Sequence, residues 1–259
     1  MPDSRVKAPD PTKAEDTRRI APVAPSCAEV YLGAVTQACR RLHPSPSAIE
    51  AALRHAYGQP RHHNKTDPLG ELVFILLSSQ TREAEYRRTF ATLWLRYRSW
   101  DRVRIAPPED LADALRVGGF AKRKSLLIKA LLERIHRDIG RTSLRFLREW
   151  RDDDALTYLL GLPGVGLKTA QCVLMYALHR SVLPVDTHVW RIAKRLGWVA
   201  GGKHPDARSS ADLEAAIPAR MRSSLHVTMV AHGRRVCRAR PACDRCLLAD
   251  VCPRVGIDP

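Results

Sequence analysis

Apolar residues return every three to four positions along most of this chain, the period of a helix packed on one side. Phe90, Leu93, Trp94 and Tyr97 stand at offsets 0, 3, 4 and 7, and Val189, Ile192, Ala193 and Leu196 repeat those offsets, so each set makes one core-facing stripe. Ala170, Val173, Leu174, Ala177 and Leu178 form a third stripe. Helix starts are marked too. Ser26-Cys27-Ala28-Glu29 and Ser47-Ala48-Ile49-Glu50 each have the form of a capping box, and Gly58 stops the helix after the second. Strand-type alternation and Asn-Gly or Asp-Gly hairpin signals are absent, so the pattern predicts an all-α fold. Residues 137–150 and 201–210 read as connecting loops, and residues 1–25, which mix Pro, Lys, Arg, Asp and Ala without period, as a disordered basic arm.

One break in the helical pattern carries chemistry. Asp153 or Asp154 can cap a short helix from Ala155 to about Leu162, Leu162-Pro163-Gly164-Val165-Gly166 interrupts it, and a second helix runs from about Leu167 to His179. Two helices joined by Pro-Gly-x-Gly make a helix-hairpin-helix over about residues 154–179. Its glycines permit positive φ and close approach, so the turn's amides can face a phosphate; a glycine-rich turn is also often only a turn. Lys168 lies in the first turn of the second helix, about 160° around the axis from Ala170, and so projects away from the buried stripe. The helix field there disfavours a cation by roughly 0.3–1 kcal/mol, which predicts a lowered pKa. A neutral amine is what nucleophilic attack on a sugar carbon requires; a phosphate-contacting lysine is the plainer reading. Asp186, in Pro184-Val185-Asp186-Thr187-His188, immediately precedes the helix bearing Val189. By position it is an N-cap, and the amides that keep it ionised would let it stabilise positive charge building on a deoxyribose.

The 259 residues, 45% of them hydrophobic, suffice for one large or two small domains of roughly 150 residues each. Charge narrows the partners: 43 Lys+Arg against 27 Asp+Glu leave +16, which points to a polyanion such as nucleic acid or an acidic membrane surface. The longest apolar run, Leu72 to Leu77, is far short of the roughly 18 residues of a spanning helix, and no signal-like stretch opens the chain. We therefore expect a cytoplasmic protein, associated with the nucleoid if bacterial. Four of the seven cysteines, Cys237, Cys243, Cys246 and Cys252, are spaced C-x5-C-x2-C-x5-C, a metal-ligand pattern that zinc and a cubane iron-sulfur cluster both accept. Arg234, Arg235, Arg238 and Arg240 surround the first of them and could meet a backbone phosphate. Cys27, Cys39 and Cys172 read as small core residues.

In order, Leu162-Pro163-Gly164-Val165-Gly166-Leu167-Lys168-Thr169-Ala170, then Val185-Asp186-Thr187-His188, then the four-cysteine loop resemble the endonuclease III branch of the helix-hairpin-helix DNA glycosylases. The likeness runs from about residue 28 to the C-terminus. It implies a two-lobed all-α enzyme: a six-helix barrel lobe at residues 61–180, beside a lobe of residues 26–60 and 181–259 with a 4Fe-4S cluster on the four cysteines. A monomer would flip the damaged base of double-stranded DNA into the cleft between them. The resemblance makes Lys168 the nucleophile that attacks C1′, expels the base, forms a Schiff base and permits β-elimination of the 3′ phosphate, with Asp186 as the essential carboxylate. Gln80, in Leu76-Leu77-Ser78-Ser79-Gln80-Thr81, would fill the gap left by the flipped nucleotide, and Phe120, in Gly119-Phe120-Ala121-Lys122, would be a second wedge. Extrusion costs a few kcal/mol, which such wedges offset. A polar helix end for Gln80 and a core aromatic for Phe120 are the plainer readings. Gly164, Gly166, His188, Arg238 and Arg240 complete the implied DNA contacts, with Lys122, Arg123 and Lys124 adding cations after the wedge.

The chain departs from the family in having five rather than six residues between Cys237 and Cys243, and Glu83 where Asp is usual. The expected function is a bifunctional DNA glycosylase and apurinic/apyrimidinic lyase acting on oxidised pyrimidines of the thymine glycol type. Two alternatives stand beside it: a pyrimidine-dimer glycosylase/lyase of the same fold, which would also use a lysine, and a non-catalytic DNA-binding module with a four-cysteine metal site. Lys168 together with Asp186 weighs against the last, because a pure binder gains nothing from a carboxylate in a cleft meant for phosphates.

Overall fold

Every regular element among the described residues, 44–60 and 62–257 of this computed structural model, is helical. The N-terminal arm, the Ser26 capping box, Cys27 and Cys39 lie outside the described residues. The helices are α1 (Pro46–Tyr57), α2 (Pro68–Ser78), α3 (Glu83–Tyr97), α4 (Trp100–Ile105), α5 (Pro108–Ala114), α6 (Ala121–Ile139), α7 (Asp152–Leu160), α8 (Leu167–Tyr176), α9 (Thr187–Arg195), α10 (Ala207–Ala216) and α11 (Ala219–Arg235). None is long and apolar enough to cross a membrane.

Local chemistry explains where they begin and end. Ser45, not Ser47, caps α1: its hydroxyl accepts the Ala48 amide and Pro46 takes the first helical position, where a missing N–H costs nothing. Gly58 ends α1 at φ 61°, as expected. Asp67 caps α2 through the Gly70 amide at 3.0 Å, and Pro68 again follows the cap. Helix α7 starts at Asp152, so all three aspartates occupy its positive first turn rather than one of them capping it. Two stretches expected as loops are partly ordered. Helix α6 continues to Ile139 and stops at Gly140, a 3-10 turn covers Arg145–Arg148, and α10 starts at Ala207 on an Asp206/Ser209 capping box.

Side chains gather into two apolar cores. The first is built by α2 through α8 around Leu72, Leu77, Leu93, Ile128, Leu132, Leu159 and Val173. The second joins α1 to α9 and α11 through Leu53, Val189, Ile192, Leu196, Leu225 and Met229. Each such fully buried side chain contributes about 1.5–3 kcal/mol. Helix α2 is buried on every side from Pro68 to Leu77, which explains its unbroken apolar run. Trp94 departs from its expected place in the core: it is 39% exposed, because the α3 stripe is narrower than its four apolar positions and only Leu93 is fully enclosed. The described residues start in the second core, cross to the first before α2, and return between α8 and α9. The candidate site lies where those two crossings meet.

Candidate active site

The hairpin turn is shaped by Gly164, at φ +71°, where an added Cβ would also stand 2.5 Å from Leu127 Cδ1 on α6. Gly166 is the extended N-cap of α8 and leaves open space at its Cβ. Both glycines are exposed, so the turn's backbone is open to a ligand. Lys168 leaves the first turn of α8 and enters a pocket that it shares with Asp186, which lies across the return crossing at the start of α9. Cys172 and Tyr176 of α8, Phe74, Ile75 and Ser78 of α2, Tyr86 of α3, His226, Val230 and Arg234 of α11, and His62 and Asn64 of the first crossing complete the wall.

Asp186 is an N-cap and a pocket group at once. One oxygen, Oδ1, accepts the amides of His188 at 2.9 Å and Val189 at 2.8 Å, leaving Oδ2 clear of that bonding. Burial works against ionisation, but His226, the Val189 amide and Lys168 outweigh it and hold the carboxyl below the usual aspartate range. His226 is itself lowered to about 4 by burial, so near neutral pH the amide and the Lys168 ammonium carry that effect.

Lys168 does not follow the helix field. Its pKa is raised, with the Cys172 sulfur, Asp186 and Glu71 favouring the ammonium and burial favouring the amine. The Cys172 thiol is pushed up to about 12 by burial and is uncharged near neutrality, so Asp186, joined by Glu71 where it is ionised, supplies the attraction. The field of the helix N-terminus, about 0.3–1 kcal/mol for an exposed charge, is outweighed by these neighbours. Glu71 is 0% exposed, accepts the Lys65 amide at 2.6 Å and the Asn64 side-chain amide, and is raised to about 7, chiefly by burial.

Sequence reasoning did not reach Glu71, Asn64, Tyr86, Tyr176 or His226, and placed Cys172 only in the core. Glu71 alone carried a local signal, as a lone carboxylate inside an otherwise apolar helix. The rest arrive by tertiary folding.

Two loops meet beyond the end of α2. Gln80 is exposed beyond the end of α2, at φ 52°, and Phe120 is 57% exposed at φ 51° as the N-cap of α6, which excludes a core role for it. Lys124 is corrected from a phosphate contact to a buried tie. Its ammonium donates to the carbonyls of Leu77 at 2.8 Å and Gly118 at 3.1 Å and to Thr81 Oγ1 at 2.6 Å, joining the Gln80 loop to the Phe120 loop. Lys122 and Arg123 are exposed. His188 is half-buried, with Nδ1 held 2.9 Å from Arg191 Nη2.

Near the cysteines, two of the four arginines are committed internally. Arg234 pairs with Glu83 at 2.7 Å and lines the pocket, and Arg235 lies over the Tyr57 ring at 5.4 Å. Arg238 and Arg240 are exposed. Cys237, Cys243, Cys246 and Cys252 line one small pocket with Arg195, whose Nη1 donates to Cys237 Sγ at 3.0 Å. The thiols of Cys246 and Cys252 are pushed up by burial and by the neighbouring sulfurs, a repulsion that a metal centre among them would relieve. Among the described residues no group of three or more His, Cys, Asp or Glu is placed to hold a metal ion; the four thiols around this shared space are donors of the type that zinc and an iron-sulfur cluster both take.

The chain is similar to known proteins in sequence and in fold. Residues 73–218 match the family described as HhH-GPD superfamily base excision DNA repair protein. Endonuclease III of Thermotoga maritima is 34% identical over 194 residues, covering 74% of this chain and 86% of that protein. An Arabidopsis thaliana protein named as a candidate DNA glycosylase is 38% identical over 193 residues, covering 73% of this chain and 65% of its own length. In fold, the chain superposes on the endonuclease III of a non-covalent endonuclease III-DNA complex with a TM-score of 0.69 at 26% identity, covering 80% of this chain and 93% of that one. The chain therefore belongs to the HhH-GPD superfamily of base excision DNA repair proteins, and within it is a DNA glycosylase of the endonuclease III kind.

Proposed function

We propose that this protein is a bifunctional DNA glycosylase and apurinic/apyrimidinic lyase that removes oxidised pyrimidines of the thymine glycol type from duplex DNA. The observation that carries the reading is that Lys168 of the hairpin and Asp186 of the following helix line one pocket at the seam of the two cores. Lys168 sheds a proton, and its Nζ lone pair forms a bond to C1′ of the extruded nucleotide. The glycosidic bond breaks with its electrons leaving on the base. Opening of the sugar ring then gives an imine; loss of a C2′ proton drives cleavage of the C3′–O bond and releases the 3′ phosphate. Asp186, ionised and fixed by two helix amides, stabilises the positive charge that builds on the sugar during the first step.

The exposed Gln80 and Phe120 enter the stack where the nucleotide has left, and Lys124 makes their two loops move as one piece. The turn at Gly164 and Gly166 holds a backbone phosphate, with Arg238 and Arg240 adding a second grip. The four cysteines hold a 4Fe-4S cluster, which pins the chain around Arg238 and Arg240. Visible absorption of the purified protein tests this: a brown iron-sulfur band supports the cluster, and a colourless protein with one zinc contradicts it.

The reaction is tested with a duplex containing one thymine glycol. Wild type should release the modified base and nick the strand, and Asp186→Asn should slow base release by two orders of magnitude or more. No base release by wild type would overturn the lesion assignment.

A further inference from the structure

The chemistry above leaves several polar pocket groups unused, and one of them is held as an oriented acceptor. His226, on α11, is buried and lines the pocket beside Lys168 and Asp186. Its Nδ1 lies 2.8 Å from the carbonyl oxygen of Pro184, two residues before Asp186. A carbonyl can only accept, so Nδ1 carries the ring proton and Nε2 presents a bare lone pair. Burial lowers the imidazole to about 4, which keeps this form across the neutral range. Tyr176 packs edge-on against the ring at 5.7 Å and fixes its plane. No described residue donates to Nε2. A pocket meant only for a sugar and a lysine has no need of an oriented acceptor with nothing to accept.

We propose that His226 determines base specificity, its Nε2 accepting a hydrogen bond from an N–H of the flipped base, the N3–H imide of an oxidised pyrimidine. This rests on the glycosylase reading and adds the atom that reads the base. A fixed lone pair in the pocket that Asp186 also lines welcomes a donor and repels a carbonyl, and a base without that N–H leaves the acceptor unmet. The anchor to Pro184 makes recognition and placement of Asp186 share one side chain.

The test crosses the protein with the substrate. His226→Asn keeps a donor at the Nδ1 position, for the Pro184 carbonyl, and removes Nε2; His226→Gln returns an amide near Nε2. Each is assayed in single-turnover excision of thymine glycol and of its N3-methyl derivative, and in borohydride trapping on an abasic site. Methylation should slow wild type by at least about tenfold, slow His226→Asn by less than about threefold, and regain part of its effect in His226→Gln. Base excision by His226→Asn should fall further than its abasic trapping. Equal methyl effects in wild type and His226→Asn would overturn the proposal, as would a parallel loss of excision and trapping, which would mean that His226 serves Lys168 or Asp186 instead. A wild type that traps abasic DNA but ignores methylation sinks only this inference, whereas one that never forms an adduct sinks the lyase reading beneath it.

Discussion

At the scale of single residues, the pocket sets proton affinities against their ordinary values, and that has a stability cost that can be measured. Glu71 titrates at about 7 in the folded chain against 4.5 for a free glutamate. The folded state thus keeps this proton to higher pH. Below about pH 4.5 both states are protonated and nothing is lost; between there and pH 7 the unfolded chain ionises first and stability falls, by on the order of 3 kcal/mol, to a constant deficit above. Glu71→Gln should therefore gain on wild type as pH rises across that window, measured by denaturant unfolding at pH 4.5 and 7.5. A difference independent of pH would remove the buried charge from the account. Lys168, held as an ammonium by Asp186 and Glu71, should trap abasic DNA faster as pH rises through neutrality. A rate that falls over that range would contradict it. Phe120, mostly exposed, should be replaceable by Ala with a stability change within about 0.5 kcal/mol but with roughly tenfold weaker binding to lesion duplex. A melting temperature that drops instead would make it a packing residue.

At the scale of elements, the hairpin is the most demanding local structure. Gly164→Ala adds a Cβ at φ +71° and against Leu127, so it should cost about 1–3 kcal/mol in thermal unfolding and weaken DNA binding in parallel. An unchanged melting temperature would mean that α6 and the turn can separate freely. The hairpin and the Asp186 cap were legible in the sequence because their signals are local: a glycine where φ turns positive, a carboxylate one residue before a helix. Helix limits were less so. Pro46 moved the start of α1 by its missing N–H, and Gly140 let α6 run on where a loop was expected. Lys124 shows the reverse failure. Its neighbours in sequence are exposed cations, and only the fold reveals three oxygens waiting for its ammonium.

At the scale of the whole molecule, two cores meet at one pocket, and its wall is drawn from segments as far apart as His62 and Arg234. Such a wall leaves no periodic trace, so Asn64, Tyr176 and His226 could not be read before folding, while Lys168 and Asp186 could. The net charge of +16 is also redistributed by the fold: Lys124 is buried, Arg234 is paired with Glu83, and Lys122, Arg123, Arg238 and Arg240 remain exposed. The logarithm of affinity for undamaged duplex should accordingly fall linearly with log salt, and substitution of Arg238 by Ala should reduce that slope by about one unit. The central claim is that Lys168 is the nucleophile of this pocket. Borohydride reduction during reaction with a thymine glycol or abasic duplex, followed by peptide mass analysis, tests it most directly. The account predicts a covalent adduct on Lys168 in wild type and none in Lys168→Ala; no adduct in wild type, or an undiminished one in Lys168→Ala, would contradict it.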